Sequence, residues 1–314
     1  MSVATTKIEL RRRVEELNVK HPMYQDFYDM LTGLRPDPSL GSYRHDPQHL
    51  FIVGESGVGK SRIVKRYAED NPPFTQIEED GTEIDVKPVV YVELPDPFTM
   101  VEFYQHIVRA LGAPQYAGIR VGDVKRQALS LLSELKTEIL ILDEVNYVMG
   151  SRYVKKTEAM EAFKHISNQA NVSVVLVGTP ETKELTRLSF QYFRRFPRVE
   201  LRRFDKCDEL FCSLLTSIEN QIGPPVSLGI GNYETGLPQV LYAMCGGLLG
   251  ALTSILRSTY RKMLEQYTLD DLGDAEKFLE MLSVGQQRIL GDNEAEFMAM
   301  LEKSEKNNSD TTTF

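Results

Sequence analysis

HLFIVGESGVGKSRIVKRYAED, residues 49–70, decides the fold. An apolar run (49–54) leads into GESGVGKS (54–61), which fits G-x-x-x-x-G-K-[ST] without departure, and a helical pattern follows. Strand, glycine-rich loop and helix in that order make a phosphate loop. The glycines let backbone N–H groups turn inward around phosphate oxygens, Lys60 reaches the β and γ oxygens, and the Ser61 hydroxyl is placed for Mg²⁺. The positive end of the helix adds to the attraction. Gly54, Glu55, Ser56, Gly57, Val58, Gly59, Lys60, Ser61 and Arg62 are the expected nucleotide contacts.

A phosphate loop needs a carboxylate from a nearby strand to hold the magnesium shell. ILILDEVN (139–146) supplies Asp143 for that role, and the adjacent Glu144 is the candidate general base for a water in line with the γ-phosphate. The pair points to ATP hydrolysis rather than to a kinase or GTPase, and the guanine-reading N-K-x-D does not occur. A later run, VVLVGTPE, ends with Thr179. Its hydroxyl has two readings, a contact to the γ-phosphate or lytic water and a helix cap before Pro180.

Around this centre, short apolar runs (49–54, 89–94, 138–143, 172–178 and 198–201) alternate with helical patterns (60–70, 99–111, 123–136 and 155–170). Such alternation means βαβ units and a parallel sheet. Residues 5–33 read as helix interrupted near His21-Pro22, and 35–47 as a Pro- and Gly-punctuated connection. Beyond 206 the strand-like runs stop, and 207–222, 236–265, 269–283 and 292–304 read as helices. The expected organisation is a helical segment with linker (1–47), an α/β nucleotide-binding domain (48–205), a helical lid with C-terminal helices (206–303) and a disordered tail (304–314).

The 314 residues, 42% hydrophobic and 26% charged, have an ordinary globular composition. No run of eighteen apolar residues occurs, and the N-terminus has no apolar stretch of the secretory kind, so a cytoplasmic location is expected. Cys207, Cys212 and Cys245 have neither disulfide-framework nor metal spacing, and read as buried or half-buried thiols. His45 and His49 are four apart, but Pro47 between them opposes a ligand-bearing helix. The formal net charge of -9 is uneven. Residues 1–205 carry 28 basic against 29 acidic side chains, and residues 206–314 carry 8 against 16. The first two thirds can therefore present a basic face to a phosphate backbone.

The ordered set GESGVGKS, ILILDE, VGTPE, FRRF and a helical lid resembles the AAA+ ATPases, and within them the TniB/TnsC family of transposition regulators. GGLLGAL (246–252) is similar to that family's glycine-rich lid segment. The resemblance implies an AAA+ P-loop fold with a five-stranded parallel sheet, helices on both faces and a C-terminal helical lid. It implies ATP and Mg²⁺ as cofactors, and an ATPase that assembles as a ring or filament on duplex DNA with little sequence preference. A transposase and a target-selection protein are the implied partners.

On that pattern Thr179 is sensor 1, and Arg194 or Arg195 is the finger offered to a neighbour's γ-phosphate. Two loops are candidates for backbone contacts to DNA, one with Arg120, Lys125 and Arg126, the other with Arg152, Lys155 and Lys156; each also reads as an ordinary solvated face. Many relatives carry an arginine where Ala251 stands, so either Arg257 takes over its contact or the lid senses nucleotide weakly. The outward acidic C-terminal third reads either as a docking face for a basic transposase or as ordinary lid solvation. The alternatives are another DNA-remodelling AAA+ ATPase, such as an IstB-like helper, helicase loader or initiator, and a STAND-type nucleotide switch.

Overall fold

The computed structural model describes residues 6–36, 46–78, 80–114, 118 and 120–290, with backbone alone from 285 to 290. Two compact units emerge, one running from Met23 to Leu201, the other assembled from the chain up to Pro22 and from Arg202 onward. The segment read from sequence as one N-terminal piece is thus shared: α1 (Lys7–Glu15) belongs to the second unit and α2 (Tyr24–Gly33) to the first. The reason is which apolar faces each helix finds. Leu10 and Val14 of α1 sit in the core of the helical unit. Phe27 and Leu31 of α2 are buried in the α/β unit, where Tyr28 meets Tyr67 edge to face at 4.9 Å.

After α2 the α/β unit runs β1 (Leu50–Val53), α3 (Lys60–Asp70), β2 (Phe74–Ile77), β3 (Glu83–Val86), β4 (Val89–Glu93), α4 (Met100–Ala110) and α5 (Val121–Glu134). It continues through β5 (Ile139–Asp143), α6 (Asn146–Gly150), α7 (Lys156–Ala170), β6 (Ser173–Gly178), α8 (Lys183–Arg187), α9 (Phe190–Arg195) and β7 (Arg198–Glu200). Five strands form a parallel sheet in the order β4-β5-β6-β1-β7. Every residue of β1, β5 and β6 is buried, as a parallel sheet covered on both faces requires. Register places Val53 against Gly178 and Glu200, and Glu93 against Asp143, so the carboxyl ends line up along one rim.

β2 and β3 form a separate antiparallel pair that the sequence reading missed. Its first strand, FTQI, is largely exposed and has no apolar alternation to betray it.

The helical unit adds α10 (Glu209–Ile222), α11 (Leu237–Cys245), α12 (Leu249–Gln266) and α13 (Ala275–Leu290) to α1. The pattern at 236–265, read as one helix, is two helices bent by 118°. Gly246 (φ 56°) and Gly247 (φ 74°) take left-handed conformations that a β-carbon disfavours, and a Cβ on Gly247 would lie 2.0 Å from the Phe204 carbonyl oxygen. The buried Glu219 carboxylate accepts hydrogen bonds from the N–H groups of Leu228, Gly229 and Ile230, pinning the loop between α10 and α11. Among the described residues no single helix is long and apolar enough to cross a membrane. Cys245 is buried, Cys207 and Cys212 half-buried, and all three are free thiols. The expected helix at 292–304 and the tail at 304–314 lie outside the described residues.

Candidate nucleotide site and the opposite end of the sheet

The loop after β1 is built by steric necessity. A Cβ at Gly54 would meet the Leu201 carbonyl oxygen at 2.4 Å, so the chain leaving β1 can pass only without a side chain. Gly57 (φ 82°) and Gly59 (φ 108°) occupy left-handed space, while Val58 is buried and anchors the loop from beneath. Gly59 is the N-cap of α3 and offers no side chain to its free N–H groups, which leaves them available to an anion. Lys60 is only 9% exposed, and its Nζ donates to the Gly54 and Glu55 carbonyls at 2.7 and 2.8 Å. Burial pushes its pKa below the usual lysine range, opposed by the nearby Asp143, Glu144, Glu181 and Glu55 carboxylates.

Four strand ends are tied together beside this loop. Gly54 N–H donates to the Gly178 carbonyl, Val145 N–H to Val177, and Leu94 N–H to Asp143. Asp143, 1% exposed, accepts from the Glu144 N–H at 2.9 Å and from the Tyr91 hydroxyl at 2.8 Å. Glu144 adopts φ 57°, a left-handed strain that turns the chain sharply after β5.

Tyr91 is a site residue that sequence reasoning missed. Its pKa is driven above the usual tyrosine range by burial and by the Asp143 charge, so it stays a hydrogen-bond donor to that carboxylate, and the Lys65 ammonium lies 5.1 Å from its ring centre. A tyrosine within VVYVEL looks in sequence like any aromatic strand residue. Thr179, at the end of β6, holds the N-cap position of a 3₁₀ turn, yet its side chain makes no capping bond; the carbonyl of the same residue accepts from Thr182. A hard hydroxyl on Ser61 and a hard carboxylate on Asp143 form a donor set suited to Mg²⁺.

Arg194 and Arg195 lie at the other end of the sheet. They close α9 just before β7, and line a cavity of about 560 Å³ together with His49, which precedes β1, and Asn168. β1 alone puts roughly 13 Å between this end and the start of the phosphate loop, at about 3.3 Å per residue.

The two arginines differ. Arg195 donates to Asn168 Oδ1 at 2.6 Å and Ser167 Oγ at 3.2 Å, and its Nε lies 3.0 Å from His49 Nε2. Arg194 is exposed and has no ion pair or hydrogen bond among the described residues. His49, 4% exposed, accepts the Val174 N–H on Nδ1. Burial first, then the Arg195 charge, lower its pKa to about 3. The His45 half of the sequence pair lies outside the described residues.

The two basic loops also differ. Arg126 is held by Asp123 on its own helix, and Arg120 sits at the exposed N-cap position of α5. In the other loop Lys156 pairs with Glu184 at 3.0 Å, whereas Arg152 and Lys155 are exposed, on either side of a Tyr153 that is 69% exposed. Ser151 Oγ holds this loop rigid, donating to the Phe98 carbonyl and accepting from the Tyr153 and Val154 N–H groups. Arg257, the stand-in for a lid arginine, donates to the Leu17 carbonyl within the helical unit.

A family described as "Bacterial TniB protein" matches residues 15–206. No curated protein sequence matches the chain. Solved structures share the fold at low identity. The Aeropyrum pernix ORC1 protein in complex with DNA aligns with TM-score 0.57 and 16% identity over 87% of this chain and 68% of that one. The Aeropyrum pernix ORC2 protein in its ADPNP-ADP complexes gives 0.59 and 16% over 87% and 71%, and CDC6P from Pyrobaculum aerophilum 0.52 and 14% over 79% and 64%. With the family match spanning well over half of its length and a phosphate loop set in a β4-β5-β6-β1-β7 sheet, the chain belongs to the bacterial TniB family and has the AAA+ P-loop fold.

Proposed function

We propose that this protein is an ATPase that assembles head to tail on duplex DNA and recruits or activates a transposase. The observation that carries the reading is the separation of two half-sites. GESGVGKS and the Asp143-Glu144 pair meet at the carboxyl ends of the strands, while Arg194 stands at the amino ends with no partner among the described residues. An arginine there serves another copy's nucleotide, not its own.

In the proposed reaction the loop N–H groups and Lys60 hold the β and γ phosphates. Ser61 and Asp143 would hold Mg²⁺, which neutralises phosphate charge when bound. Glu144 takes the proton of the attacking water, Thr179 orients that water, and Arg194 of the adjacent copy meets the charge that develops on the γ-phosphoryl group. Tyr91 fixes the Asp143 carboxylate by its hydrogen bond.

The DNA part of the reading is supported by the exposed Arg152 and Lys155 beside Tyr153, by the family, and by the DNA complex of the ORC1 structure whose fold is alike. Transposase and target-selection protein come from the family resemblance. Binding to a random-sequence duplex, followed by fluorescence polarisation, is expected to require ATP or a slowly hydrolysed analogue and to weaken steeply with salt, because assembly multiplies a few phosphate contacts per copy. Equal affinity without nucleotide would overturn it.

A further inference from the structure

The described residues expose three phenylalanines, and two of them, Phe190 at 79% and Phe193 at 51%, lie three positions apart on α9. Residues at that spacing share a helix face. The Arg198 guanidinium lies 5.4 Å from the Phe193 ring centre, and Arg194, which has no partner among the described residues, is next along the chain. Two exposed aromatic rings set among arginines have the composition of an interface centre, since Phe and Arg are enriched there. This knob sits beside β7, one lateral edge of the sheet.

The opposite edge strand, β4, carries a hollow. A cavity of about 490 Å³ is lined by the apolar or aromatic Leu94, Pro95, Ala110 and Tyr147; Glu93 in its wall lies 3.7 Å from Lys65, whereas the Asp96 carboxylate has no ion pair among the described residues. It opens beside the carboxyl end of β4, next to the strand that carries Asp143. Knob and hollow thus differ in shape, the arginine of one finds a carboxylate in the Asp96 of the other, and they lie at opposite edges of one sheet, roughly 19 Å apart at about 4.8 Å per strand.

We infer that Phe190 and Phe193 of one copy seat in the Leu94–Tyr147 hollow of a second copy of this chain, with Arg198 facing Asp96. The contact is heterologous, joining one face to a different one, so it repeats from copy to copy. It brings α9, and with it Arg194, to the rim that carries the neighbour's acidic pair, and the nucleotide site is incomplete without it. The inference rests on the proposed trans role of Arg194 for its function, but its test does not.

Two variants separate the halves. Phe190→Glu with Phe193→Glu removes the knob at solvent-exposed positions, and Ala110→Arg fills the hollow with bulk and like charge. Each is expected to keep the wild-type circular dichroism melt and to bind a fluorescent ATP analogue as the wild type does. Each should remain monomeric by light scattering at concentrations where the wild type assembles with a slowly hydrolysed analogue. Mixed one to one, they should form dimers and no larger species, because a single intact knob meets a single intact hollow.

Assembly of either variant as in the wild type, a mixture that stays monomeric, or a wild type that never assembles would overturn the interface. An assembled Arg194→Ala protein that hydrolyses ATP normally would sink the trans role while leaving the interface standing.

Discussion

The two ends of the central sheet handle charge in opposite ways. At the carboxyl end, Lys60 and Asp143 are almost fully buried and hydrogen-bonded to nearby polar groups, so the charges are organised before any ligand arrives. At the amino end, Arg195 is held by neutral acceptors and Arg194 by nothing among the described residues. On the proposed reading the first end binds the nucleotide, and the second is supplied to another copy. The phosphate loop and the arginine pair lie at opposite ends of one sheet.

The sharpest way to break this comparison is to disable the ends separately. Lys60→Ala should abolish ATP binding, and Arg194→Ala should leave binding intact while lowering turnover by about 1,000-fold or more. Mixing the two variants should restore part of the activity, since intact arginines of one meet intact phosphate loops of the other. Failure to complement at any ratio would mean a site complete within one chain. Next in size is Glu144→Gln, expected to bind ATP normally and lose about 100-fold or more in turnover. Wild-type turnover would remove Glu144 from the role of base.

The amino end also has a pH signature. Below pH 6.5 the unfolded chain binds a proton at His49 that the native chain, with its pKa near 3, does not, so stability is lost as pH falls through that window. The loss is about 1.4 kcal/mol per pH unit, or about 2 kcal/mol between pH 7 and pH 5, and His49→Gln should flatten that part of the slope in urea unfolding. An unchanged slope would show that the buried ring is not what the acid attacks. The smallest effect is expected at Tyr91→Phe, which removes one hydrogen bond to Asp143, worth about 1–2 kcal/mol. Its readout is a severalfold rise in the magnesium concentration needed for half-maximal nucleotide binding; no rise would reduce Tyr91 to a packing residue.

What could be read from residues alone follows from what leaves a periodic trace. The strands of the sheet are nearly continuous apolar runs because both faces are covered, and GESGVGKS is constrained residue by residue, so both were legible. The β2–β3 pair was not, because FTQI is mostly exposed and shows no alternation. The break within 236–265 was written in Gly246 and Gly247, but helical periodicity on either side masks a bend. Tyr91 acts through one hydrogen bond to Asp143, far along the chain, and Glu219 through bonds to the backbone N–H groups of Leu228, Gly229 and Ile230, none of which a local pattern records. The arginine pair was visible as FRRF, whereas the asymmetry between its members depends on Ser167 and Asn168, far away in the chain.

The helical unit is made from both ends of the chain, and this sets an order of events during synthesis. Lys7 Nζ donates to the Leu264 carbonyl and Glu15 pairs with Arg261, while Leu10, Val14 and Leu17 share one core with α12. These partners leave the ribosome some 250 residues after α1, roughly 12–50 s later at 5–20 residues per second. The α/β unit has by then been made in full, between the two halves of its companion. Until α10 and α12 follow, α1 carries an apolar stripe with none of its partners to cover it, the state that chaperones hold and proteases cut. A chain halted before α12 leaves that stripe without its main cover, however well its phosphate loop has folded.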